Sequence, residues 1–171
     1  MNPEALIQQM ALNAGRIRSL VSGVSPAQAL WKPEPSSWSI LEVVNHLYDE
    51  ERLDFRVRLD LILHHPERED WPPIDPPRWV VERRYNQRLL EPSLANFLKE
   101  RQASLAWLRQ LGEVDWQAGV PAPWGGLLHA ADMFAAWAAH DLLHMRQLVE
   151  LQHAWIVRQA GPYDTGYAGD W

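Results

Sequence analysis

Cysteine is absent from all 171 residues, which excludes disulfides, thiolate metal ligands and a cysteine nucleophile; any bound metal must be held by His, Asp or Glu. No stretch approaches the roughly 20 consecutive apolar residues of a membrane span. The start Met1-Asn2-Pro3-Glu4 lacks the basic and apolar regions of a signal peptide, so a cytoplasmic protein with no membrane partner is expected. A basic face is missing too. Sixteen Lys and Arg against 22 Asp and Glu leave a net charge of −6, which argues against a nucleic-acid backbone as partner. Arg52, Arg56 and Arg58 do cluster, but Glu50, Glu51, Asp54 and Asp60 interleave with them, and a solvated helix face is the expectation. Neither strand-like alternation nor an internal repeat is found.

What the chain does contain is apolar bulk: 47% hydrophobic residues suit one globular domain over 1–171. Its ten tryptophans, large side chains with one donor each, are expected half-buried around a pocket or an interface.

Four long helices follow from caps and 3.6-residue spacing. Asn2, Pro3 and Glu4 open the first, with an Asx cap, proline in the first turn and an acid at the positive end. It carries Leu6, Ile7, Met10, Ala14, Ile17, Leu20 and Val21 to Ser22, where Gly23 ends it. Ser25-Pro26-Ala27-Gln28 opens a short turn through Trp31. Ser39 and Glu42 form a capping box, and Trp38 and Val43 occupy the two positions of a hydrophobic staple at the start of the second helix. Its expected stripe is Val43, Leu47, Glu50, Val57 and Leu61, ending at Leu63 or His64. Residues 65–77 hold five of the thirteen prolines and cannot be regular helix; they read as an ordered, extended loop lidding one end, with Trp71 and Trp79 turned inward. A partly helical segment from Trp79 leads to the third helix, Glu91 to Leu111, with Leu94, Phe97, Leu98, Arg101, Leu105 and Leu108 on its stripe. Pro121, Pro123 and Gly125-Gly126 bring turn chemistry beside Trp116 and Trp124. The fourth helix runs from about His129 to Ala154, followed by an aperiodic aromatic tail expected to dock on the body. The fold class is therefore all-α, an antiparallel, up-and-down type of four-helix bundle with unequal connections.

His140 and His144, four apart on the fourth helix, project from one face about a turn apart, within reach of a single divalent ion. His46 sits mid-helix among apolar neighbours on the second helix and offers a third ligand. Alone, such a pair is also explained by capped or solvent-facing histidines. Together, three core-facing imidazoles would need partners, and the central expectation is that they meet on one metal with an open position. Glu50 is the candidate base, while Asp141 and Gln147 are candidate supports for the rings; Asn45 and Asp49 are displaced around the helix from His46. His64, His65, His129 and His153 lie at helix ends or loops and receive no ligand role. Zn²⁺ is the first expectation for the ion, with Ni²⁺, Cu²⁺ or Fe²⁺ also suited to imidazole. Three functions compete: a metal-dependent enzyme acting on a small molecule, a binding module, and a purely structural clamp.

The order Trp38-Ser39, Glu42, His46, then Phe97 and Arg101, then His140-Asp141, His144 and Gln147 resembles the DinB-like (DinB/YfiT) superfamily over nearly the whole chain. That resemblance implies a four-helix bundle with a divalent metal on His46, His140 and His144, and a homodimer. It also implies thiol-dependent transferase or isomerase activity with a low-molecular-weight thiol; of the three competing functions the metal-dependent enzyme, a thiol S-transferase or a hydrolase, is the first expectation.

Overall fold

The computed structural model describes residues 1–68, 71–122 and 125–171. Helix α1 is Pro3–Val21, with the Asn2 side chain accepting the Ala5 N–H at 3.2 Å. Gly23 takes a φ of +76°, open to glycine at no steric cost, and turns the chain into the short α2, Pro26–Leu30. Helix α3, Ile40–Glu50, starts with the complete capping box: Ser39 Oγ accepts from the Glu42 N–H, and Glu42 Oε2 from the Ser39 N–H.

Helix α3 passes without a break into a π-helical turn, Glu51–Phe55, and then α4, Arg56–His64, so the expected second helix is one rod with a widened middle. Leu47, Glu51, Phe55 and Leu59 are all buried at successive steps of four. In a regular α-helix each such step drifts by about 40°, and the wider π-turn takes up that drift. The stripe expected through Val57 therefore passes through Phe55, Leu59 and Ile62 instead. The same shift overturns the solvated charge face: Glu50 and Glu51 are 4% and 2% exposed.

The proline-rich stretch is shorter than expected, because α5, Pro76–Glu82, begins within it, with Asp75 Oδ1 accepting the Arg78 N–H. Trp79 does turn inward, packing with Val80 and Tyr85, and Trp71 lies under the Arg58 guanidinium. Helix α6 is Leu90–Gln110. An antiparallel pair of three-residue strands, β1 (Gly119–Pro121) and β2 (Leu127–His129), follows; each is too short to show an alternating pattern, hence the missed expectation. Pro123 and Trp124 lie outside the described residues. Helix α7, Ala130–Ala160, runs past Ala154 until Gly161-Pro162 stops it. The tail does not bury its aromatics as expected: Trp171 stacks on His153 with ring centroids 4.0 Å apart but stays exposed, as do Tyr163 and Tyr167. No described helix is long and apolar enough to cross a membrane.

The pairing of residues gives the helix directions. Asn13 bonds Asp141 and Leu20 accepts from Gln152, so α1 and α7 run parallel. Asn45 bonds Ser93 and Arg56 bonds Ser104, so the α3–α4 rod and α6 run parallel. His46 meets His144 while Glu51 meets Trp137, which makes the rod and α7 antiparallel. Helix α1 packs chiefly on α6 and α7 rather than on its successor. The four-helix bundle stands, but it is not uniformly antiparallel: α6 starts at the end of the bundle where α3 began, not at the end where α4 stops. Apolar clusters fill the two ends, one around Met10, Leu59, Phe134 and Trp137, the other around Ile17, Val44, Leu47, Phe97 and Leu148. A layer of buried polar side chains separates them.

Candidate metal centre

Within that layer α3 directs His46, and α7 directs His140 and His144, toward one point. The His46 Nε2 lies 3.4 Å from His140 Nε2 and 3.0 Å from His144 Nε2, and the last two are 3.0 Å apart. Nitrogens about 2.0–2.1 Å from a tetrahedral zinc stand about 3.3 Å from each other, so the spacing fits a shared ion. Hydrogen bonding does not explain the triangle equally well. A neutral ring nitrogen is either donor or acceptor, and three in mutual contact must include a like-with-like pair. Burial, followed by the neighbouring imidazoles, lowers His46 to about 2. Burial and then His144 lower His140 to about 3, and burial lowers His144. All three rings are thus neutral at pH 7, the form that ligates metal.

The far edges of the rings differ in support. His144 Nδ1 donates to Gln147 Oε1 at 2.8 Å, which leaves its Nε2 lone pair facing the triangle. His46 Nδ1 has no hydrogen-bond partner and lies 3.6 Å from Glu50 Oε1, which also has none; both are buried. Burial, and then the facing Asp54 carboxyl, push Glu50 up to about 9, so at neutral pH it is a carboxylic acid and not yet a base. Asp54 in turn sits 2.8 Å from Arg58 Nε.

Asp141 has a different use from the one expected. Its two oxygens accept from Arg101 Nη1 and Nη2, both at 2.7 Å, and Oδ2 also accepts from Asn13 Nδ2. Arg101 Nε and Nη2 donate to Glu51 Oε1, which takes a third bond from Trp137 Nε1, and Arg101 Nη1 also reaches the Met10 carbonyl. This network joins α1, the π-turn, α6 and α7 directly behind the histidines. Sequence reasoning missed it as a unit, although a charged residue on the apolar stripe of the third helix was its signal. Asn45 and Asp49 are engaged elsewhere: Asn45 with Ser93 and Arg88, Asp49 with Arg52, Arg83 and Tyr85. His64, His65, His129 and His153 lie apart from the triangle, which is the one group among the described residues able to gather three ligand atoms.

Aromatic rings wall the triangle. Trp38 lies 4.8 Å from the His46 ring and parallel to His144, and Phe55 lies 5.0 Å from His140. His140 is half-buried, so solvent reaches the group from that side. A cleft of about 510 Å³ opens beside His144, bounded by Trp38, Gln147, Glu150 and Leu151.

The profile of the family described as the DinB superfamily matches residues 9–148. A solved structure, YfiT from Bacillus subtilis, is similar with a TM-score of 0.77 at 19% identity, over 88% of this chain and 86% of that one. YfiT is described as a probable metal-dependent hydrolase with an unusual four-helix bundle topology; at this identity the likeness shows the shared fold. No curated protein matches.

Proposed function

We propose, for a chain that belongs to the DinB superfamily, that His46, His140 and His144 hold one divalent ion and that the protein hydrolyses a small molecule there. The observation that carries this reading is the convergence of three neutral Nε2 atoms within 3.4 Å, on a side of the bundle that solvent and a cleft both reach. Zn²⁺ suits three imidazoles best, and Ni²⁺ or Fe²⁺ also fit. When bound, the ion supplies Lewis acidity. The chain's own groups do the rest. Gln147 holds the His144 proton on Nδ1, Glu50 faces the Nδ1 edge of His46 and serves as base once deprotonated, and Trp38 and Phe55 keep water from the sides of the rings. The description of YfiT as a probable metal-dependent hydrolase supports the same class of reaction.

A transferase acting with a low-molecular-weight thiol would use the same centre and is the companion reading. A purely structural clamp is less well supported, because the Arg101 network already ties the helices together and His140 stays open to solvent. The homodimer belongs to this proposal too. Its second copy would cover Leu12 and Val149, exposed between α1 and α7, and light scattering checks its mass.

Metal analysis of protein purified without a histidine tag, alongside His46→Ala and His140→Ala, is the decisive experiment. About one ion per chain is expected, lost in both variants. Ester and amide panels, set against a thiol with an electrophile, then assign the reaction. Substoichiometric metal in the parent would remove the proposal, and turnover in neither panel would reduce the protein to a metal-binding module.

A further inference from the structure

The cleft beside His144 has a chemical preference of its own. One wall is the loop between α2 and α3, with Ser36, Ser37 and the indole of Trp38; the other is the outward side of α7. His144 stands at one end of this wall, and Glu150 six residues further on, about 9 Å along the axis at 1.5 Å per residue. Glu150 is the one acidic residue in the lining, and no Lys or Arg lines the cleft. The nearby cations are spent elsewhere. Lys32 Nζ lies 2.7 Å from Glu42, and the Arg158 guanidinium lies over Trp31 and Trp155; neither lines the cleft. Arg146 Nε does approach Glu150, at 3.3 Å, but the two side chains are 70% and 49% exposed, and pairs so open to water contribute little and yield to a ligand.

An indole and a carboxylate in one cleft, with no Lys or Arg lining it, suit a ligand with an apolar body and an organic cation. We infer that the cleft seats the substrate and selects a cationic one: an ester or amide bearing an ammonium or guanidinium group about 9 Å from the bond at the triad. The cation lies toward Glu150 and the apolar body toward Trp38. In the reaction water adds its oxygen to the acyl carbon, the carbon–oxygen or carbon–nitrogen bond breaks, and the leaving alcohol or amine takes the proton. The assignment of an acyl bond rests on the hydrolase reading above, whereas the choice of a cation rests on the cleft alone.

The test uses two probes of similar shape. Trimethyl(4-phenylbutyl)ammonium cannot ligate a metal, and 4-phenylbutan-1-ol lacks the charge. Their affinities are measured by calorimetry or ligand-observed NMR on the protein as purified, on the metal-free protein and on Glu150→Gln, a change at a half-exposed side chain that leaves the core untouched. The cation is expected to bind about tenfold tighter than the alcohol with or without metal, and Glu150→Gln to bring the two within about twofold at unchanged metal content. Equal affinities in the parent, no binding of the cation, or a preference that survives Glu150→Gln would each overturn the inference. A protein that prefers the cation yet takes up no metal would instead overturn the hydrolase reading and leave this one standing.

Discussion

Around Arg101 every N–H of a buried guanidinium finds an acceptor, whereas at His46, His140 and His144, in the same polar layer, three ring nitrogens face one another without a consistent set of donors. The first cluster gives all five N–H groups of Arg101 an acceptor, on the carboxylates of Glu51 and Asp141 and a backbone carbonyl, and leaves one buried acceptor, Glu51 Oε2, without a partner. It also touches all four long helical elements, so its work is to fix how they pack. The second joins only the α3–α4 rod and α7, leaves His46 Nδ1 and Glu50 Oε1 unpartnered, and lets solvent reach His140. Burying polar groups costs free energy unless partners compensate. A cluster that compensates internally is part of the scaffold, and one that does not is asking for something from outside.

The contrast breaks most visibly at Arg101. Arg101→Leu leaves Glu51 and Asp141 buried without their cation and should cost about 3–5 kcal/mol in urea unfolding, a large share of the stability of a domain this size. A loss under about 1 kcal/mol would show that the network does not hold the bundle. His140→Ala should do the reverse. Its metal-free melting temperature should stay within a few degrees of the parent, while metal affinity, measured by competition with a chromophoric chelator, falls at least about a hundredfold. Zn²⁺ at a hundred times the parent's Kd should stabilise the parent by about 2.7 kcal/mol and the variant by about 0.4 kcal/mol or less.

Acid and base sharpen the comparison further in the metal-free protein. The three imidazoles lie below their ordinary value of 6.5, so below that pH the unfolded chain binds protons that the folded one refuses, and stability falls as pH drops. Glu50 acts in the opposite sense. Held at about 9 instead of 4.5, it is protonated when folded and ionised when unfolded, so stability also falls as pH rises through that window. Asp54, raised by burial, adds to the same side. The two trends oppose each other, so the melting temperature should pass through a maximum between the acid decline set by the imidazoles and the alkaline decline set by Glu50. Glu50→Gln should flatten the alkaline decline and leave the acid one. The smallest expected effect is at Gln147: Gln147→Leu frees the His144 Nδ1–H and should weaken metal binding about tenfold with little change in metal-free stability.

Much of this arrangement was legible one helix at a time. Asn2, Ser39 and Glu42 announce where helices start, Gly23 where the first one stops, and the spacing of His140 and His144 puts both rings on one face. Each signal works between residues three or four apart, through one cap or one turn, and survives whatever the rest of the chain does. Gln147 follows from the same spacing, one turn beyond His144. The π-turn at Glu51–Phe55 does not, because its widened geometry rewards the packing of Glu51 and Phe55 against other helices and has no local cap or breaker. From that omission came the misread charge face and the misplaced role of Asp141, whose partner Arg101 is 40 residues away.

By itself, then, the amino-acid order determined that this protein has no thiol of its own, that its first and second helices start at Asn2 and Ser39, and that two histidines share a face. Only the packed bundle decided the helix directions, the five-bonded burial of Arg101, and the meeting of His46 with His140 across 94 positions. The reason is physical. Caps and turns are governed by neighbours in the chain, but which faces lie together depends on burying apolar surface from every helix at once, a condition that no single segment carries.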